Sequence, residues 1–182
     1  MMTLPPAGSI GLVKIGGPVG DAIHAVELLD DDGRTESEYQ HAFVLLPGAA
    51  AGAINTPIVE AEPGGVREAR LTEYVGRSVL WIPCPPEYSA QVVSAAMAYI
   101  GVPYAFADYA AIAAHHLGVD PLHLGEDFVK KTGHEICSML CVACAQKAGW
   151  PLVPQNLWAG YVDPAQLAHY APAGAVPELI TA

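Results

Sequence analysis

Three of the four cysteines in the chain fall within one short run, Cys137-Ser-Met-Leu-Cys141-Val-Ala-Cys144, with Cys84 far upstream. Three thiolates at this spacing can hold an iron–sulfur cluster, as in radical enzymes, or join His134 around zinc. If the run is helical, Cys137 and Cys144 stand about 10 Å apart along the axis, whereas one zinc ion needs every sulfur within about 2.3 Å. The flanking pattern is helical, so metal binding is set aside and no cofactor is expected. Residues four and seven positions beyond Cys137 share its helix face, and free cysteine is among the most buried side chains, which places Cys141 and Cys144 in the core. Cys137 is expected at an accessible first turn, where unpaired backbone N–H groups and the helix dipole favour a thiolate. It is the candidate nucleophile.

A cysteine nucleophile needs a base within hydrogen-bond reach and a third group to orient that base. Among the histidines, His115, His116, His123 and His169 fall near helix ends or in loops, and His24 falls inside a strand. His41 differs, because it opens the apolar run His41-Ala-Phe-Val-Leu-Leu46 directly after the polar Ser37-Glu-Tyr-Gln40. That puts it at the mouth of a buried strand, where an active-site rim is built. The following strand carries Glu60 and Glu62, and strand alternation sets both on one face. Either can orient His41; the alternative is an edge strand whose two carboxylates face water.

The elements that must position these residues are legible in outline. Short runs rich in Val, Ile and Leu, bounded by Gly, Pro or Asp, predict strands at 10–15, 21–29, 40–46, 57–62 and 78–82, with a turn at Asp30-Asp31-Asp32-Gly33. From Pro86 the period becomes helical and predicts helices at 86–100, 106–117, 136–149 and 164–170, the third closed by Gly149 and Pro151. Strands followed by helices, without a linker or repeat, indicate one α+β domain over 1–182, an antiparallel sheet or small barrel packed against helices.

Composition excludes several classes. Eight basic against nineteen acidic residues give a formal charge of −11, which repels a phosphate backbone and argues against a nucleic-acid partner. The hydrophobic share of 52% rules out disorder as the dominant state. The N-terminus shows no basic flank followed by an apolar run, so no signal peptide is expected. The Ala-rich stretch 88–119 is broken by Gly101 and Pro103 and loaded with Asp108, His115 and His116, which argues against stable membrane insertion. Without an export signal a disulfide framework is not expected either. The location is then cytoplasmic, or reached through another delivery machinery such as a phage particle.

Gly20-Asp21 leading into a strand, His41 opening the next, Val59-Glu60-Ala61 with Gly65-Val66, Gly101-Val-Pro-Tyr104, and Ile136-Cys137-Ser138 opening a helix closed by Ala148-Gly149 occur here in order. Asp163-Pro164-Ala165 with Leu167 completes the series. In this the chain resembles the circularly permuted, NlpC-type branch of the papain-like cysteine hydrolases, and within it the YiiX-like members, over about residues 11–170. The resemblance implies a permuted papain-like fold with Cys137 as nucleophile, His41 as base and Glu60 as the third polar group. It implies Tyr104 beside the cysteine as an oxyanion contact, with Gln40 and Ser138 as flanking oxyanion or substrate contacts. Substrates in related families are peptides or amides, often peptidoglycan fragments and commonly cut at a D-glutamyl bond. Met139 and Ala105 stand where the family commonly has acidic residues, which bears on substrate contacts. Two other functions suit the same fold: an acyltransferase or thioesterase acting on lipid esters or amides, and a catalytically silent binding domain. Neither the oligomeric state nor the scissile bond is encoded in these motifs.

Overall fold

A computed structural model describes residues 4–14, 39–48, 53–62, 64–103, 137–159 and 162–181. The predicted strand at 21–29, the helix at 106–117, the turn at 30–33 and Tyr104 lie outside these residues. The described chain is α+β, with a six-stranded antiparallel sheet in the order β4-β3-β2-β1-β5-β6. Its strands are β1 (Ile10–Val13), β2 (His41–Leu45), β3 (Pro57–Glu62), β4 (Gly65–Arg70), β5 (Ser78–Ile82) and β6 (Glu178–Leu179). Helices α1 (Pro86–Tyr99), α2 (Cys137–Lys147) and α3 (Pro164–Ala168) follow β5. Strands 57–62 and 78–82 keep their predicted bounds, whereas β1 stops at Val13 and α3 stops at Ala168.

Strand alternation sorts the sheet's side chains into two cores. On one face Ile10, Leu12, Ala42, Val44, Val59, Ala61, Leu80 and Ile82 pack with α1 and α2. On the other, Val13, Phe43, Leu45, Ile58, Ala69, Val79 and Trp81 pack with Leu71 and Tyr74 of the 3₁₀ turn Leu71–Tyr74 that leaves β4. The register lines up one row on this second face: Trp81 opposite Gly11, Gly11 opposite Phe43, Phe43 opposite Glu60, and Glu60 opposite Arg67. Gly11 leaves the space in which the Phe43 and Trp81 rings meet edge to face, with centroids 5.7 Å apart. One row thus passes from aromatic to charged across five strands.

Strand β4 went unrecognised in the sequence because Arg67, Glu68 and Arg70 crowd a short run, although the turn residues Gly64 and Gly65 announce a hairpin. Gly65 has φ +113°, and a Cβ there would stand 2.8 Å from the Val102 carbonyl, so the position requires glycine. The close approach lets Val66 donate to the Val102 carbonyl and accept from the Gly101 amide, both at 2.8 Å. The Gly65-Val66 and Gly101-Val102 motifs, distant in sequence, are therefore one structural feature at the free side of β4. Near the C-terminus, the Asp163 side chain caps α3 by accepting from the Gln166 amide at 2.6 Å, and Leu167 is buried.

Candidate functional site

His41 begins β2 and is buried, as is its neighbour Gln40, whose backbone N–H donates to the Val13 carbonyl. At the first position of the strand the imidazole touches both cores. Its Nε2 lies 3.0 Å from Glu60 Oε2, and its ring stacks with Tyr74 at 6.1 Å between centroids, on the aromatic face. The ring also interacts with the side chain of Cys137, the first residue of α2 in the helix-side core. With Nε2 on the carboxylate, Nδ1 is the nitrogen left for the sulfur. Cys137, His41 and Glu60, separated in sequence by up to 96 residues (137 − 41), thus form one chain of contacts.

The two glutamates differ in geometry. Glu60 is fully buried and bonds His41, whereas Glu62 is half-exposed and pairs with Arg67 at 3.1 Å. The solvent-facing edge-strand reading fails because β4 covers β3. The sequence expectation of an accessible Cys137 is also corrected: the thiol is fully buried, because the first turn of α2 packs into the core against β2 and β3 rather than lying on the surface. Ser138 is buried beside it, and its Oγ has no hydrogen-bond partner among the described residues. Cys141 and Cys144 are buried as expected, and all four cysteines are free thiols. The run Cys137–Lys147 is helical, so it is not the loop that a three-cysteine metal site would require.

Two residues that sequence reasoning missed complete the surroundings of Glu60. The Tyr74 hydroxyl donates to Oε2 at 2.5 Å, and Arg67 Nη2 lies 2.6 Å from Oε1. The same Arg67 nitrogen is 2.7 Å from Glu73 Oε2. Recognising β4 would have placed Arg67 beside Glu60; nothing in the sequence marks Tyr74.

Charge states follow from these contacts. Burial alone favours neutral imidazole, but interaction with Cys137 and with Glu60 outweighs it and raises His41 from 6.5 to about 10. Burial likewise pushes the Glu60 carboxyl up, yet His41, Tyr74 and Arg67 together hold it below its usual value. Desolvation and the adjacent Glu60 charge raise the Tyr74 phenol, so it remains a donor. The site is therefore a buried imidazolium between a cysteine and a carboxylate. His41, Glu60 and Glu62 bring ligand atoms within 4.8 Å of one another, but they do not fit a metal ion, because the Arg67 guanidinium already stands between the two carboxylates. Among the described residues, no helix is long and apolar enough to cross a membrane.

A scan against protein-family models finds no match to this chain, and a search of curated proteins finds none.

Proposed function

We propose that the protein is a cysteine hydrolase of the permuted papain-like type, a peptidase or amidase. The observation that supports this best is the His41 imidazole set between the Cys137 side chain, with which it interacts, and the Glu60 carboxylate, to which it is hydrogen-bonded. That order of nucleophile, base and orienter is what acyl transfer by a thiol requires. The Cys137 thiolate attacks an amide carbonyl, and backbone N–H groups at the start of α2 stabilise the oxyanion. The His41 imidazolium then gives its proton to the leaving amine. His41, now neutral, takes a proton from water as that water attacks the thioester, which releases the carboxylic acid and restores the thiolate beside the imidazolium. Glu60 holds the imidazole in one orientation and stabilises its positive charge. Peptide or amide substrates, including peptidoglycan fragments, are the class to try first.

The test has two arms. Iodoacetamide followed by peptide mapping should alkylate Cys137 before Cys141 and Cys144, and His41→Ala should slow that reaction. Cell-wall fragments, model peptides and lipid esters are then screened for turnover that Cys137→Ser abolishes. Labelling of Cys137 no faster than Cys144, unaffected by His41→Ala, would overturn the proposal. Turnover of lipid esters alone would move the substrate class to acyl esters while retaining the thiol chemistry.

A further inference from the structure

The base of a thiol hydrolase works best while its orienting group is aimed and, for a carboxylate, ionised, and a carboxylate buried as fully as Glu60 is neither unaided. The groups facing Glu60 are His41 from β2, Glu62 from β3, Arg67 from β4, Glu73 and Tyr74 from the 3₁₀ turn, and Cys137 of α2 behind the imidazole. Glu62 and Glu73 disfavour its charge; Arg67 and Tyr74 favour it. Arg67 is a divided partner, since its side chain is 41% exposed and its Nη2 is shared among three carboxylates. Exposure and sharing weaken its hold and make it sensitive to salt. Tyr74 is buried, and its hydroxyl donates to Oε2, the same oxygen that faces Nε2 of His41. Its ring is fixed by stacking on Phe43 at 5.1 Å, and Phe43 is braced in turn by Trp81.

Resting on the hydrolase reading, we propose that Tyr74 is a positioning residue, whose hydroxyl keeps Glu60 ionised and directed at His41 and so sets the acid limit of Cys137 reactivity. The aromatic row from Trp81 through Phe43 is then the support that fixes this donor. The hydroxyl acts through Glu60 and touches neither thiol nor substrate.

Tyr74→Phe keeps the ring and removes the donor. The quantity to measure is the iodoacetamide labelling rate of Cys137 against pH, in the full chain, for the wild type, Tyr74→Phe, Glu60→Gln, the double variant and His41→Ala. Tyr74→Phe should slow labelling about tenfold near neutrality, since a hydrogen bond to a charged group is lost. The acid limb should move up by about one pH unit, because a carboxylate lacking a donor protonates sooner. In the Glu60→Gln background Tyr74→Phe should have almost no further effect. An unmoved acid limb, or additive losses in the double variant, would overturn the assignment while a slowed His41→Ala leaves the hydrolase reading standing. Labelling indifferent to His41→Ala would overturn both. Should Tyr74→Phe fail to fold, site-specific 3-fluorotyrosine preserves the shape and strengthens the donor. It should move the acid limb down, and no movement would refute the role.

Discussion

The two faces of the sheet solve the same burial problem with different chemistry. The helix side is aliphatic at the sheet: Ile10, Leu12, Val44, Val59 and Ile82 meet α1 and α2, with Cys141 and Cys144 among the buried residues there. The other side is aromatic near β5 and charged near β4, passing from Trp81 and Phe43 to Glu60 and Arg67 along one row. Burial, with Cys144 and Cys137 nearby, pushes the Cys141 thiol well up, whereas Glu60, as deeply buried, is held down by His41, the Tyr74 hydroxyl and the Arg67 charge. Burial by itself neutralises a group; burial with aimed partners fixes its charge. His41 stands where the two faces meet, interacting with a cysteine from one and hydrogen-bonded to a carboxylate from the other.

The comparison is broken most severely at that junction. Cys137→Ser should abolish turnover, since an alkoxide is not formed where a thiolate is, and His41→Ala should do the same by removing the proton carrier. Glu60→Gln should cost about 10–100-fold in turnover rather than all of it, because an amide oxygen can still accept from the imidazole while the charge is lost. Steady-state assays on any substrate found in the screen check the order. Full activity of Glu60→Gln would mean that the buried charge serves folding alone.

Some parts of this arrangement were legible in the sequence, and others were not, each for a physical reason. His41 and the pair Glu60 and Glu62 stood out because polar residues in apolar strands conflict with the hydrophobic pattern. Cys137 was legible by its place at a helix start. The choice of Glu60 over Glu62 was not, since both share a face and the decision rests on Arg67 and on a β2–β3 ladder recorded only from Phe43↔Glu60 to Leu45↔Ile58, leaving His41 to reach diagonally. Tyr74 was invisible because it lies in a 3₁₀ turn, which has no periodicity to read. Strand β6 is two residues long, too short to carry a pattern.

The charged junction also predicts how stability depends on pH. His41 is raised from 6.5 to about 10, so its contribution is fully present below about 6.5 and is lost as pH rises through about 10. Glu60 is lowered from 4.5, so its contribution is present above 4.5 and lost as pH falls through its folded value. Melting temperature should therefore peak between about 4.5 and 6.5 and fall on both sides. Cys84, pushed by burial to about 11, adds a separate alkaline loss above about 9, so the difference between wild type and His41→Ala isolates the imidazolium. His41→Ala should flatten the alkaline fall, and Glu60→Gln the acid one. A wild-type curve parallel to that of His41→Ala across the alkaline range would show that the imidazole is not held protonated.

On the aromatic face, Gly11→Ala would set a methyl against the Phe43 ring, with Trp81 also close. Overpacking of this kind costs about 1–3 kcal/mol. Since Phe43 stacks on Tyr74, the displacement should also slow Cys137 labelling per folded molecule. Denaturant titration and the labelling assay together check both effects.

The smallest effect belongs to the helix side and sharpens the contrast. Cys144 lies two turns along α2 from Cys137, fully buried among apolar neighbours. Cys144→Ser replaces a weakly polar thiol by a hydroxyl of similar size, and an unpartnered buried hydroxyl is unfavourable by about 1–3 kcal/mol. Inside a helix, however, a serine hydroxyl can donate to the carbonyl one turn earlier, here that of Leu140, which recovers part of that amount. The expected net loss is about 1 kcal/mol. Because Cys144 stands about 10 Å along α2 from Cys137, the labelling rate of Cys137 per folded molecule should stay at the wild-type value. Gly11→Ala, of comparable stability effect, should lower it. If both variants slowed labelling equally, general loosening of the fold rather than a relay through the aromatic face would account for the loss, and the distinction between the two faces would fail.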